Sequence, residues 1–134
     1  MDMFVNNLKI MLALFGGVLG SIIGGVDSLV YALVAFMAID YLTGLLLAIY
    51  EKKVSSNIGF KGISKKVLIF ALVALGNIID QYIIGSGSFL RTMLIMFYLS
   101  NEGISILENA AKMEIPFPQK LKDILLKIDG TGKK

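Results

Sequence analysis

Four carboxylates and one guanidinium interrupt the long apolar stretches of this sequence, and they are the groups best placed to do chemistry. Asp40 stands in the middle of one apolar stretch, Asp80 near the end of another, and Glu102, Glu108 and Arg91 share a third. An ionisable side chain among apolar neighbours must be paired, hydrated or protonated, so each is a candidate functional group. Arg91 and Asp80 flank a short turn and are predicted to pair, which leaves the other three carboxylates without a basic partner in the apolar segments.

The polar residues of the apolar stretch that carries Arg91, Glu102 and Glu108 fall on one side of a helix. Successive residues of a helix are about 100° apart, so these side chains lie within an arc of about 120° that also contains Tyr98. They are Arg91, Asn101, Glu102, Ser105, Glu108 and Asn109. This stripe predicts either the lining of a water-filled path or a buried polar contact between helices. Asp40, with Thr43 and Gly44 beside it, is open to the same two interpretations: a wet carboxylate, or a neutral acid hydrogen-bonded to a neighbouring helix.

The residue types that are missing exclude several classes of enzyme. The chain has no cysteine, histidine or tryptophan, which excludes a disulfide framework, thiol catalysis and a Ser-His hydrolase. Neither a phosphate-binding glycine loop nor a metal-ligand cluster occurs, and the basic regions lack the aromatic residues typical of nucleic-acid binding. We therefore expect no enzyme, no metal, no cofactor and no nucleic-acid partner.

The composition favours a lipid bilayer as the environment of the helices. Of the 134 residues 56% are hydrophobic and only 17% charged, and the mean hydropathy is +0.77, which is more apolar surface than a soluble domain of this size can bury. Four apolar segments, at about 10–26, 28–50, 67–84 and 89–111, are long enough to cross. We predict an all-α integral membrane protein with a transmembrane helical domain over residues 1–111.

Basic regions predict the orientation of these helices. Short loops rich in lysine stay on the cytoplasmic side, so the connection 51–66 and the tail 112–134 should be cytoplasmic and the turn 85–88 outside. Both termini are then cytoplasmic. Asp2 and a single lysine make a poor positively charged start for a secretory signal, so we expect the first segment to be a retained helix. If it does not insert, three helices remain and the N-terminus is outside. The basic residues concerned are Lys52, Lys53, Lys61, Lys65, Lys66, Lys120, Lys122 and Lys127.

The tail should contain a short amphipathic helix at about 118–128. Pro116 and Pro118 stop the preceding helix, and apolar residues then recur at helical spacing between charged ones; they are Leu121, Ile124, Leu125 and Ile128. Such a helix is typical of one lying on anionic membrane lipids. The alternative is a partly frayed, soluble tail.

Two rows of small residues mark the first segment as a packing surface. Gly16, Gly20 and Gly24 are spaced four apart, and Gly17, Ser21 and Gly25 form a parallel row. Rows of this kind let another helix approach closely, so they predict association within or between subunits. The alternative is that glycine is simply frequent in membrane helices.

Four motifs in one order resemble the phage lysis and toxin-secretion holins of Gram-positive bacteria and their phages. They are Asp40-Tyr-Leu-Thr-Gly44, Ser55-Ser-Asn-Ile-Gly-Phe-Lys-Gly62 leading to Lys65-Lys66, Asn101-Glu-Gly-Ile-Ser-Ile-Leu-Glu-Asn109, and Ile115-Pro-Phe-Pro118 followed by Lys120-Leu121. The resemblance spans about residues 40–125. Glu114 stands where the resemblance leads us to expect glycine.

The resemblance implies a protein of the bacterial (host) cytoplasmic membrane that forms homo-oligomers. It would accumulate there and then assemble into lesions through which a cell-wall hydrolase, or a toxin, reaches the wall. Two other classes stay open on the residues alone. A small proton- or cation-coupled transporter or channel would use Asp40 or Glu102, and a membrane scaffold would confer no permeability.

Overall fold

The chain folds entirely as helices over the part that its computed structural model describes, residues 1–128. In chain order these are α1 (Asp2–Ile22), α2 (Ser28–Tyr50), α3 (Ser56–Ile78), a π-helical turn (Ile79–Ile84), α4 (Phe89–Lys112) and α5 (Gln119–Ile128). The all-α prediction is confirmed. Within residues 1–128, three helices are long and apolar enough to cross a membrane: α1, α2, and α3 extended by the π-helical turn.

Side-chain caps decide where the helices begin. The Asp27 carboxylate accepts a hydrogen bond from the Val30 amide at 3.0 Å and starts α2, and the Ser55 hydroxyl accepts one from the Ile58 amide at 3.1 Å and starts α3. These oxygens satisfy amides that have no partner inside the first turn. The third segment therefore differs from its predicted bounds: α3 begins at Ser56 rather than at residue 67, because hydropathy detects apolar segments and not caps. The first segment differs as well, since α1 runs from Asp2 to Ile22, with no side-chain hydrogen bond at its start.

The earlier start of α3 changes the place of three lysines. Lys61, Lys65 and Lys66, which were predicted in a connecting loop, lie on α3. Lys61 and Lys65 are exposed, whereas Lys66 is half-buried. The connection between α2 and α3 is correspondingly short.

α4 lies at the centre of the molecule and contacts α2, α3 and α5. It runs in the same direction as α2, because Arg91 near its start pairs with Asp27 and Asn109 near its end bonds Thr43. The buried apolar core lies between these helices and comprises Val30, Leu33, Met37, Val73, Ile95 and Leu99. In contrast, α1 has no buried residue.

α5 packs along α4. Leu125 is only 6% exposed, and Ile128 packs against the core, whereas Leu121 and Ile124 of the same apolar stripe are exposed. The helix thus forms close to where the sequence predicted it, but it uses half of its stripe to contact α4. The tail beyond it, residues 129–134, lies outside the described residues.

Candidate functional site

A charge cluster of three side chains joins α2, α3 and α4. The Lys66 ammonium lies 2.8 Å from Asp40 Oδ2 and 2.7 Å from Glu102 Oε1. Side-chain exposure is 19% for Lys66, 11% for Asp40 and 9% for Glu102. Two carboxylates therefore share one ammonium in a largely buried position, and with all three groups ionised the cluster carries one negative charge in excess.

Asn109 and Thr43 hold Asp40 from its other side. The Asn109 amide donates to Thr43 Oγ1 at 2.9 Å and to Asp40 Oδ1 at 3.3 Å, and the Thr43 hydroxyl donates to the Asp40 carbonyl at 3.0 Å. The carboxylate is thereby fixed between α3 and α4. Gly44 is not required sterically at this site, because a Cβ on it would lie 3.7 Å from Asn109 Nδ2, which is an ordinary van der Waals contact.

The expectation that Asp40 and Glu102 lack a basic partner is wrong, and Lys66 is the residue that sequence reasoning missed. It was assigned to a loop because it precedes the apolar run at Val67. The usable signal was the Ser55 cap, since a helix that starts there brings Gly59, Gly62 and Lys66 to one face. Tyr41 covers both glycines: a Cβ on Gly59 would lie 3.1 Å from its hydroxyl.

Arg91 forms a second polar cluster at the other end of α4, and its predicted pairing with Asp80 is also wrong. Its guanidinium donates to Asp27 Oδ2 and to the Gly25 carbonyl, each at 2.9 Å, and to the Ile23 carbonyl. Arg91 is 4% exposed, so it ties the α1–α2 connection to α4. The hydrogen bond from Arg91 holds the pKa of the Asp27 carboxyl below its usual range.

Asp80 instead starts α4. Its two carboxylate oxygens accept the backbone amides of Leu90 at 3.1 Å and Arg91 at 2.9 Å. Asp80 is fully buried at 0% exposure, and it stabilises a helix N-terminus through charge-assisted hydrogen bonds. Across the short turn, Asp80 therefore bonds the backbone of α4 and not the Arg91 side chain.

The predicted polar stripe of α4 divides into inward and outward sets. Arg91 and Glu102 are buried and Ser105 and Asn109 half-buried, whereas Asn101 and Glu108 are exposed. Asn101 and Glu108 are seven residues apart, so they lie on the same side of α4. Two polar side chains thus face outward from the central helix.

The predicted glycine rows are shorter than the sequence suggested. Gly24 and Gly25 follow the end of α1 and adopt φ values of +90° and +93°, so they are not on a helical face. Gly24 is also needed sterically, because a Cβ there would lie 2.6 Å from Arg91 Nε. Gly16 and Gly17 have open space around them, and Ser21 is exposed.

A cavity of about 220 Å³ opens beside the charge cluster, between α2 and the first half of α3. Lys66, Asp40 and Asn109 line its inner side, and Tyr41 and Ile58 line its walls. A volume of this size holds several water molecules at about 30 Å³ each. Water in this cavity can hydrate the buried charge cluster. Among residues 1–128 no group of three acidic residues is arranged to bind a metal ion.

Comparisons with known proteins give the family. The model of the bacteriophage holin family matches residues 17–130. An uncharacterized protein of Listeria innocua is 47% identical over 93% of this chain and 89% of its own length, and an uncharacterized 14.9 kDa protein in the nagH 3' region of Clostridium perfringens is 36% identical over 96% and 98%. No solved structure matches. The chain therefore belongs to the bacteriophage holin family and is a holin-like membrane protein.

Proposed function

We propose that the protein assembles in the cytoplasmic membrane into lesions that release a cell-wall hydrolase, or a toxin, toward the wall. The observation that carries this proposal is the outward pair Asn101 and Glu108 on α4. Both are exposed in a single subunit, although α4 packs between α2 and α3. Polar groups facing lipid are costly, and assembly removes that cost by turning them toward each other or toward water.

This proposal includes α4 as a fourth spanning helix. It is parallel to α2, which is long and apolar enough to cross, and its contacts with Asp27 at one end and Thr43 further along keep the two helices side by side. In this topology both termini are cytoplasmic, which the lysines at the α2–α3 connection and in the tail support. These lysines also supply contacts for anionic lipids.

The main experiment is inducible expression in a bacterium with and without a cytoplasmic wall hydrolase, with culture density as the readout. The expected result is an abrupt fall in density only when the hydrolase is present. Density that never falls in the presence of the hydrolase would contradict release of a protein-sized cargo. The wild-type chain is compared with Glu108→Gln, which removes the outward charge and keeps the side-chain shape. We expect this variant to shift the onset of lysis.

The accessibility of introduced cysteines tests directly which residues line the lesion, because the native chain has no cysteine. A cysteine at Asn101 should become reactive toward a water-soluble maleimide once lesions form, and Ser105, at the edge of the same face, should follow. Met93, an exposed apolar residue of α4, is the control position. Equal protection of Asn101 and Met93 after full permeabilisation would show that the outward pair forms a helix contact and that other residues line the lesion.

The charge cluster favours a second candidate function, a proton or cation pathway. Asp40 and Glu102 share one lysine and adjoin a cavity that can hold water. A protein of this kind would pass ions but not proteins. Loss of the membrane potential together with retention of both a cytoplasmic dye and a cytoplasmic enzyme, at full induction, would favour this function over the first.

A further inference from the structure

One face of α2 changes its surroundings halfway along the helix. In the first half of α2, Val30, Leu33 and Met37 on this face are buried in the apolar core. Gly44 and Ala48 continue the same face at helical spacing, and both line the cavity beside the charge cluster. The face is therefore packed by apolar side chains toward the start of α2 and open toward its end.

α3 makes the same change in the opposite order along its sequence. Its early residues Ile58 and Gly62 line the cavity, whereas Val73, on the same face, is fully buried in the core. A Cβ on Gly62 would lie 3.5 Å from the Tyr41 ring, so a larger side chain there would take up space inside the cavity. The cavity thus lies between the halves of α2 and α3 that are joined by their connection.

The cavity extends from the α2–α3 connection to the charge cluster, and we call it the vestibule. Val54 and Ser55 of the connection line one end of it, and Asp40 and Lys66 line the other. Asp40 lies about 15 Å from the end of α2 at Tyr50, at 1.5 Å per residue, which is half of a hydrocarbon layer of about 30 Å. The vestibule therefore provides space for water as far as the middle of a membrane.

Apolar side chains close the vestibule beyond the charge cluster. Leu33, Val73 and Ile95 come from three different helices and are fully buried. In each of these helices they lie between the charge cluster and the polar residues at the other end of the bundle. Along α2 this dry segment, from Asp27 to Asp40, is about 20 Å long at 1.5 Å per residue. The vestibule therefore ends at the charge cluster.

The charge at the inner end of the vestibule favours a cation. Asp40, Glu102 and Lys66 carry one negative charge in excess when all three are ionised. Tyr41 and Ser105, which also line the vestibule, add hydroxyl oxygens that can face a cation. The lysines of the connection are exposed, and salt screens exposed charges more strongly than buried ones. The buried excess therefore decides which sign of charge is favoured at the inner end.

We propose that the vestibule is a binding site for a hydrated monovalent cation, which enters at the α2–α3 connection and is stopped by the apolar core. The cation neutralises the excess charge of the cluster while all three side chains stay ionised. A single subunit then exchanges the cation with one side of the membrane and does not conduct it to the other. The inference rests on the proposed function only for the statement that this side is the cytoplasm.

The reactivity of single introduced cysteines tests the access route. The probe is a membrane-impermeant methanethiosulfonate that carries a trimethylammonium group, added to right-side-out or to inverted vesicles that retain an enclosed dye. We expect Gly44→Cys to react from the side that also reaches Lys53→Cys and not from the side that reaches Ser86→Cys. The matched control is Leu42→Cys, at nearly the same depth on the opposite side of α2, where the side chain is exposed to lipid. It should react far more slowly from either side.

Two results would overturn the access route. A rate at Gly44→Cys no higher than that at Leu42→Cys would show that water does not fill the vestibule. Equal rates at Gly44→Cys from both sides would show that the apolar core does not close it. If Gly44→Cys prevents accumulation of the protein, Ala48→Cys replaces it, one turn nearer the connection.

The ratio of two reaction rates measures the preference for a cation. The second reagent carries a sulfonate in place of the trimethylammonium group. Relative to the exposed reference Ser86→Cys, the ratio of cationic to anionic rates at Gly44→Cys should be higher by about fivefold or more. Adding Glu102→Gln removes the excess charge and should bring the ratio close to the reference. Adding Glu108→Gln, on the exposed side of the same helix, is the matched control and should leave the ratio unchanged.

A ratio at Gly44→Cys equal to the reference would overturn the cation site. The same conclusion would follow if Glu102→Gln and Glu108→Gln changed the ratio alike.

These measurements separate the vestibule from the proposed function. Reaction of Lys53→Cys from outside would contradict the proposed orientation, whereas reaction of Gly44→Cys from the same side as Lys53→Cys would still support the vestibule. An unreactive Gly44→Cys in a protein that causes lysis would contradict the vestibule and support lesion formation. A cysteine at Ser105 should react from the connection side before lesions form and from the opposite side only afterwards.

Discussion

Helices α1 and α4 differ in the polarity of their sequences and in their positions in the molecule. α1 is long and apolar enough to cross a membrane, yet it has no buried residue and bonds α3 only at its end, where Asn77 donates to the Ile22 carbonyl at 2.8 Å. α4 is interrupted by four charged residues, yet seven of its residues are buried and it contacts three other helices. The polar helix is thus the centre and the apolar helix the periphery.

The difference shows what hydropathy reports in a protein of this kind. Where lipid is the solvent, apolar side chains gain little by leaving it, and polar groups and close-fitting small residues hold helices together. Asp80, Arg91 and Glu102 are buried because each has partners in the bundle. α1 offers small residues, and its charged residues, Asp2 and Lys9, lie in its first turns and form no ion pair within residues 1–128.

Removal of the Arg91 side chain should have the largest effect, because it removes the side-chain bonds that tie the start of α4 to the connection between α1 and α2. Arg91→Leu leaves Asp27 and the Ile23 and Gly25 carbonyls without their donor. We expect a loss of about 2 to 3 kcal/mol in the free energy of unfolding, mainly from the unsatisfied carbonyls, because the Asp27 side chain is 49% exposed. Unfolding in detergent micelles measures it. Arg91→Lys keeps the charge but not the planar fork, so it should lose less. Equal stability of Arg91→Leu and the native chain would contradict the central place of α4.

Loss of the shared cation should come next. Lys66→Met leaves Asp40 and Glu102 facing each other without an ammonium, at a cost of about 2 kcal/mol. Lys65→Met, on the neighbouring exposed residue, should change stability by less than about 0.5 kcal/mol. The double variant Lys66→Met with Glu102→Gln should recover part of the loss. If the Lys66 and Lys65 variants unfold alike, the cluster does not hold the three helices together.

A glycine of α3 that packs against α4 and a glycine of α1 should respond differently to substitution. Gly76→Ala puts a Cβ 2.6 Å from a Leu94 methyl carbon and 3.3 Å from the Arg91 amide nitrogen, and we expect a loss of about 1 to 2 kcal/mol from overpacking. Gly16→Ile meets open space and should leave the single subunit as stable as before. It should nevertheless shorten the ladder of crosslinked oligomers in membranes. A ladder of unchanged length would show that this face of α1 contacts lipid alone.

The smallest effect should be that of pH on the connection between α1 and α2. Because the pKa of Asp27 is lowered by its bond to Arg91, the folded state binds fewer protons at this site than the unfolded state. This contribution to stability is present above the usual aspartate pKa of about 4 and is lost as the pH falls below it. Melting temperatures between pH 6 and pH 3 should fall slightly more for the native chain than for Asp27→Asn. Parallel curves would contradict the pairing.

Much of the fold follows from local sequence, and the site does not. The bounds of α2 were predicted because Asp27 and a continuous apolar run mark the same residues. The bounds of α3 were not, because its first turns carry lysines that hydropathy assigns to a loop. Arg91 and Lys66 choose partners 64 and 36 residues away, at Asp27 and Glu102, and such pairings depend on the packing of helices rather than on spacing. The docking of α5 was missed for the same reason.

The length of α3 has a consequence for the choice of membrane. With its π-helical turn it covers 29 residues, Ser56–Ile84, or about 43 Å at 1.5 Å per residue, against about 30 Å of hydrocarbon. In the proposed topology this excess lies at the cytoplasmic end of α3, which carries Lys61 and Lys65. A thicker bilayer therefore draws Lys66 further below the headgroups, and a thinner one brings it closer to them. The protein should respond to acyl-chain length, and reconstitution in lipids of graded length would show it as a graded change in the onset of permeability.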